Sequence, residues 1–374
     1  MLHIIYAEAQ QTERMVKMKI GILTSGGDCP GLNAVIRAIG KYVFLNMPNA
    51  EVYGISDGYT GLINGEYRKM KPEDFSGILT LGGTILGTIR QPFKMMTVEE
   101  NGSTKLERMV DNYKKFGFDC IFTLGGAGTH KTAALLSSEG CNIIGLPKTI
   151  DNDIFGTDVT FGYHSALDIA TECIDRVHTT AASHGRTMFV EIMGNKVGWL
   201  TLGAGVAGGA DMIILPEIPF TLEAVAKGLK KRLDAGKSFN IVAIAEGAVL
   251  KSEADMKRKD RTFARKERGE ATVTNHLAQW VGENLGVETR VIVPGHIQRG
   301  GSPSAYDRLL STRLGSYAAK LCKEGKFGVT AAIINDRITY NALPDIAGKA
   351  KSVPKNSQVI EAARDIGICF GDED

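Results

Sequence analysis

Residues 19–23 form a short apolar run rich in isoleucine, and Thr24-Ser25-Gly26-Gly27-Asp28 follows it directly. From 32 to 44 the apolar residues recur at helical spacing, with Asn33 near the start. The pattern predicts a strand, a glycine turn and a helix. The same order returns at 120–124, then Gly125-Gly126-Ala127-Gly128-Thr129, then a predicted helix over 131–139. Further apolar runs at 142–146, 188–192, 212–215, 240–245 and 290–293 predict further strands. Short continuous apolar runs that alternate with helical segments predict an α/β protein, its largely parallel sheets covered by helices on both faces. The stretch 251–268 alternates in charge sign and predicts a solvated helix or loop. Neither a repeat of fixed period nor a low-complexity segment is present.

With 374 residues the chain is long enough for two domains. A net charge of +2 gives no basis for nucleic acid or an anionic membrane as partner. No apolar run reaches the length of a membrane span. The six cysteines show no CxxC spacing and mostly sit in apolar or mixed surroundings, as buried thiols of a cytoplasmic protein do. Residues 1–17 lack a signal-peptide core and read as an extension ahead of the first strand, with Met15 or Met18 as alternative starts. The 44 glycines cluster after apolar runs, which points to backbone approaching a ligand.

Candidate chemistry concentrates in Gly145-Leu146-Pro147-Lys148-Thr149-Ile150-Asp151-Asn152-Asp153. If 142–146 is a strand, this turn lies at its carboxyl end, where open α/β sheets keep their ligands. A hydroxyl, an ammonium and two carboxylates then converge within a few residues. That set suits phosphoryl transfer, with a base for a substrate hydroxyl, a carboxylate for a metal and a cation for phosphate. Taken alone, Asp-Asn-Asp reads equally as a turn whose side chains cap backbone.

Three glycine turns, 24–28, 81–87 and 125–129, are each expected to follow a strand and to offer backbone N–H groups to an anion. None is a Walker loop, since no Gly-Lys-Ser/Thr ends them. Downstream, Gly295-His296-Ile297-Gln298-Arg299-Gly300-Gly301, Arg290, Arg186, Asn195 and Glu246 form a second set. Arginines and a histidine around one pocket would hold a sugar phosphate, with Glu246 accepting from sugar hydroxyls. A lone arginine in a surface ion pair is the alternative for each.

In this order, these segments resemble the phosphofructokinase A family over 19–374. The resemblance rests on Thr24 to Asp28 with Pro30-Gly31-Leu32-Asn33, Gly82-Gly83-Thr84 with Arg90, 147–153, Ser183-His184 with Arg186, Glu191-Ile192-Met193-Gly194, Ala207-Gly208-Gly209, Pro216-Glu217, and 295–303 with Tyr306-Asp307-Arg308. It implies two Rossmann-like domains with the active site in the cleft between them. Residues 18–162 with about 298–348 would bind the phosphoryl donor. Residues 163–297 with about 349–374 would bind fructose 6-phosphate. The implied reaction is phosphorylation of the sugar's 1-hydroxyl by ATP with Mg2+, or by pyrophosphate in some members.

By the same resemblance Asp151 would be the base, with Thr149 and Lys148 beside it and Asp153 supporting the metal. Gly27, Arg90, Gly126, Gly128 and Thr129 would bind the donor. Thr149, Asp151, Arg186, Met193, Gly194, Asn195, Glu246, Arg290, His296 and Arg299 would bind the sugar phosphate. Two of these arginines would reach across from a second subunit, which implies a homodimer or homotetramer with shared sites. Three departures stand out. Ala127 replaces an aspartate of the family's Gly-Gly-Asp-Gly loop, leaving Asp153, Asp28, or Thr129 and His130 with water, to support the ion. Asn195 stands where most relatives carry an arginine. Gly128 matches ATP users, whereas Lys148 matches pyrophosphate users and some ATP users. A catalytically weak regulatory subunit is the rival reading.

Overall fold

Alternate residues of the central strands feed two different cores, and this sets the layers of the molecule. The computed structural model describes residues 17–267, 269 and 272–373; residues 1–16 of the expected extension 1–17, and Arg268 of the charged stretch, lie outside them. The first sheet is built from β1 (Met18–Ser25), β2 (Ala50–Ile55), β3 (Tyr67–Met70), β6 (Cys120–Gly125), β7 (Ile143–Pro147), β12 (Val329–Ile334) and β13 (Arg337–Ala342). Glu99–Glu100 and Ser103–Thr104 form a small separate hairpin, β4–β5. The order is β13-β12-β7-β6-β1-β2-β3, parallel through the middle, with antiparallel edge strands β3 and β13. On β6, Cys120, Phe122 and Leu124 pack on one face, and Ile121 on the other. The first face is covered by α1 (Leu32–Asn46). The second is covered by α2 (Tyr59–Asn64), α3 (Lys105–Phe116) and α4 (Ala127–Ser138).

The second sheet is wholly parallel, in the order β11 (Thr289–Ile292), β8 (Thr187–Ile192), β10 (Asn240–Ala245), β9 (Met212–Ile214). Helices α5 (Tyr163–His184) and α6 (Trp199–Ala207) cover one face. Helices α7 (Leu222–Asp234) and α9 (Val273–Leu285) cover the other, while α8 (Arg258–Glu267) buries no residue fully. Helix α10 (Ala305–Lys323) returns the chain to the first sheet against α1. The short α11 (Leu343–Ile346) and α12 (Gln358–Asp365) finish the chain. One hydrophobic cluster runs continuously through α1, α5, α6 and α10, joining the two sheets.

The predicted strands are present, within one residue at each end except β1, which runs two residues further, to Ser25. Helix α4 starts at Ala127, four residues before the predicted 131, because the small residues after Gly126 continue straight into helical backbone. Strands β2, β3, β12 and β13 and the long α5 were not anticipated. The loop 81–87 follows no strand, in contrast to expectation. Buried Asn33 holds it instead, donating to the carbonyls of Leu81 (3.0 Å) and Gly82 (3.2 Å) and accepting from Ile85 N (2.9 Å). Cys29, Cys120, Cys141 and Cys322 are buried free thiols, whereas Cys173 and Cys369 are half-buried. Among the described residues, no helix is long and apolar enough to cross a membrane.

Candidate active site

Three strand ends lie level in the first sheet, Ser25 opposite Gly125 and Gly125 opposite Pro147. The segments that leave them therefore meet: Gly26 to Asp28 after β1, Gly126 to Thr129 opening α4, and Lys148 to Asp153 after β7. They form one wall of a cavity of about 300 Å3, which Arg90, Asn195 and Arg299 complete. Asn195 comes from the second sheet, so the cavity lies between the two sheets. Gly27 lets Arg299 lie close over this turn, since a Cβ there would sit 1.6 Å from Arg299 Nη1 and would push the guanidinium aside. At Gly128 a Cβ would meet nothing within 4 Å, so a side chain there would project into open space. The loop 81–87 is not part of the wall. It braces β1, Thr24 Oγ1 donating to the carbonyl of Gly87 (2.7 Å).

The carboxylate loop is held from behind. Asp151 N donates to Thr149 Oγ1 (3.0 Å). Asn152 is buried in left-handed backbone (φ 53°), and its Oδ1 accepts from Thr160 N (3.1 Å) and Lys351 Nζ (2.9 Å). Lys351 Nζ also donates to the carbonyls of Thr157 (2.9 Å) and Asp158 (2.7 Å), and its own N–H to that of Asp153 (2.9 Å). Burial pulls this lysine down to about 8. Nothing local in the sequence marks Lys351, which lies some 200 residues from the loop it holds.

Burial, reinforced by the neighbouring Asp153, pushes the Asp151 carboxyl up to about 6. Burial also raises Asp153. Lys148 is buried, which lowers it, and its ammonium is tied to the Gly27 carbonyl. The buried Arg299 Nε has no hydrogen-bond partner among the described residues. A cavity floored by backbone N–H groups and edged by Arg299 and Lys148 suits phosphate oxygens.

The two repelling carboxylates suit a divalent cation. No group of three or more His, Cys, Asp or Glu that could hold a metal is found among the described residues. That sparse donor set fits Mg2+, which usually takes one or two carboxylates together with water and donor phosphates. Ala127 lines the cavity without an oxygen. Neither suggested substitute fills the gap. Thr129 Oγ1 turns to the Ser25 carbonyl (3.4 Å), and His130 is buried between the Gly126 carbonyl and Thr330 Oγ1 (both 3.0 Å). Burial lowers His130 to about 4.

On the second sheet Glu246 follows β10, and its Oε1 accepts from Gly194 N (3.2 Å) and Asn195 N (2.7 Å). Met193 N donates to Gln298 Oε1 (3.3 Å), and wholly buried Gln298 donates in turn to the Gly295 carbonyl (3.1 Å). Gln298 thus ties the Met193 turn to the 295–299 turn, a role its place between His296 and Arg299 did not reveal. Arg186, Arg290 and His296 do not line the cavity, and neither do Met193, Gly194 and Glu246. Arg186 and Arg290 stand at the starts of β8 and β11 and both pair with Glu288, Arg186 at 3.0 Å. Asn195 lies past the far end of β8, roughly 20 Å away for a strand of this length. His296 is exposed.

A family model described as Phosphofructokinase matches residues 19–322. An ATP-dependent 6-phosphofructokinase of Spirochaeta thermophila is 51% identical over 364 residues, covering 96% of this chain and 99% of its own. ATP-dependent 6-phosphofructokinase 3 of Bacteroides thetaiotaomicron is 44% identical, covering 95% of this chain and 100% of its own. Among solved structures, Pichia pastoris phosphofructokinase in the T-state superposes with a TM-score of 0.77 at 30% identity, covering 94% of this chain and 37% of that longer chain. A pyrophosphate-dependent phosphofructokinase from Nitrosospira multiformis shares the fold, with a TM-score of 0.78 at 18% identity. The chain belongs to the phosphofructokinase family.

Proposed function

We propose that this chain transfers a phosphoryl group from ATP to the 1-hydroxyl of fructose 6-phosphate. The observation that carries the reading is Asp151, a half-buried carboxylate at the carboxyl ends of the parallel strands, facing a glycine-lined cavity. As general base, Asp151 takes the hydroxyl proton as the sugar oxygen attacks the terminal phosphorus. Lys148 and Arg299 compensate charge on the phosphate oxygens, and the amides of 126–129 cradle the donor. Mg2+ would be held by Asp153 beside the donor phosphates, where it supplies charge neutralisation. The segments 18–162 and about 298–348 serve the donor; 163–297 and about 349–374 serve the sugar.

ATP is the donor favoured by two observations besides the relatives' names. Gly128 leaves open space where a carboxylate would repel a nucleotide, and Lys148 is drawn onto the floor at Gly27. Arg186 and Arg290 fit a role in a neighbouring copy's cavity, since both stand at the strand ends that face away from their own; His296, past the carboxyl end of β11 and three residues before Arg299, would serve the sugar phosphate of its own chain. A coupled assay with ATP and then pyrophosphate tests the donor. ATP turnover is the expected result, and turnover with pyrophosphate alone would overturn it.

A further inference from the structure

Asn195 is held in left-handed backbone (φ 57°), with its N–H spent on Glu246 and its side chain half-buried at the edge of the catalytic cavity. The first residue of α8, Arg258, donates from Nη1 to Asn195 Oδ1 at 2.8 Å. A guanidinium has only donors to offer, so the contact fixes which end of the carboxamide faces it. The oxygen is turned to Arg258, and the Nδ2 amine is directed away from it. Among the described residues that amine meets no acceptor. Helix α8 is anchored two turns further on, where Arg265 Nε donates to the carboxylate of buried Glu253 at 3.0 Å. Arg258 and Arg265 share one face of the helix at this spacing. Arg258 and Lys196 also line a second cavity of about 370 Å3, which Asn195 separates from the first.

We propose that Asn195 Nδ2 donates to an oxygen of the phosphoryl group in flight, and that Arg258 is the positioning residue that orients and polarises this amide. The inference rests on the phosphotransferase reading above. Asn195 acts only as a donor and forms no covalent bond. Its amine is preorganised by a contact made before substrate arrives, which is how a neutral donor becomes effective against developing negative charge. Arg258 adds positive charge behind the amide without itself entering the cavity.

A double-mutant cycle in the full chain tests this. Asn195→Ala should lower kcat on the order of a hundredfold, the usual loss for one such donor. Arg258→Ala should lower kcat about tenfold through misplacement of the amide, leaving KM for fructose 6-phosphate within about twofold. Arg258→Lys should recover most of that loss. In the Asn195→Ala background Arg258→Ala should cost nothing more, and in the Asn195→Arg background it should raise kcat, because two facing cations are relieved. Equal losses from Arg258→Ala in all three backgrounds would overturn the inference. A binding arm stands apart from turnover: Arg258→Ala should weaken fructose 1,6-bisphosphate severalfold and leave fructose 6-phosphate unchanged. Equal effects on both sugars would likewise overturn it. Failure of the unaltered chain to bind either sugar would sink the phosphotransferase reading and this inference with it.

Discussion

Replacing Asp151 with asparagine should make the metal-free protein more stable while abolishing its chemistry. Burial and Asp153 lift the Asp151 carboxyl from its ordinary 3.8 to about 6. A folded-state value above the unfolded one means that the stability contributed by this group is full below pH 4 and is lost as pH rises through 6. At about 1.4 kcal/mol per tenfold in proton affinity, the ionised group costs the fold about 3 kcal/mol at pH 7.5. At pH 5 about half of that cost remains, and at pH 4 about 0.5 kcal/mol. Asp151→Asn keeps the shape and removes the charge. Its advantage over the unaltered chain should therefore be about 3 kcal/mol at pH 7.5 and shrink on acidification. Denaturant unfolding of both proteins in chelator at pH 7.5, 5 and 4 measures it. A variant no more stable than the parent at pH 7.5, or an advantage independent of pH, would refute the reasoning.

Lys351→Met removes three hydrogen bonds from the back of the carboxylate loop. It should destabilise by about 2 kcal/mol in urea unfolding and lower kcat more than it raises KM, since bonds to a charged donor are worth about that much. Ala127→Asp places an oxygen near the donor phosphates at the start of α4, and neither Thr129 nor His130 already fills that role. The magnesium concentration for half-maximal rate should fall severalfold, which a titration at saturating ATP reads out. Arg290→Ala should raise KM for fructose 6-phosphate at least tenfold, as the contact proposed for it with a neighbouring copy's sugar phosphate requires. It should leave the unfolding midpoint unchanged, because its pair with Glu288 is exposed.

Local signals in the sequence reached the places where backbone and chemistry coincide. The runs at 19–23, 120–124 and 142–146 announced β1, β6 and β7 because strands buried on both faces are continuously apolar. Their glycine and carboxylate turns lie level through the register of those strands, so order along the chain translated directly into proximity. Edge strand β13 escaped because Arg337–Ala342 mixes polar and apolar residues on a half-exposed edge. The loop 81–87 was misjudged because glycines alone do not distinguish a ligand cradle from a brace; the Asn33 and Thr24 bonds decide it. Lys351, Gln298 and Arg258 could not be read at all. Each acts through a contact from 50 to 200 residues away, and nothing in its own neighbourhood signals the partner. His130, offered as a substitute near the metal, faces inward because its helix begins earlier than the spacing indicated.

The central claim, that Asp151 is the base of an ATP-dependent phosphotransferase acting on fructose 6-phosphate, is tested most directly by Asp151→Ser. Rates of fructose 1,6-bisphosphate formation from ATP and magnesium should be measured beside fructose 6-phosphate binding in the same preparations. The parent chain should turn over, and the variant should still bind the sugar while losing about two to four powers of ten in kcat. Undiminished turnover in the variant, or no product from the parent with ATP, would contradict the account.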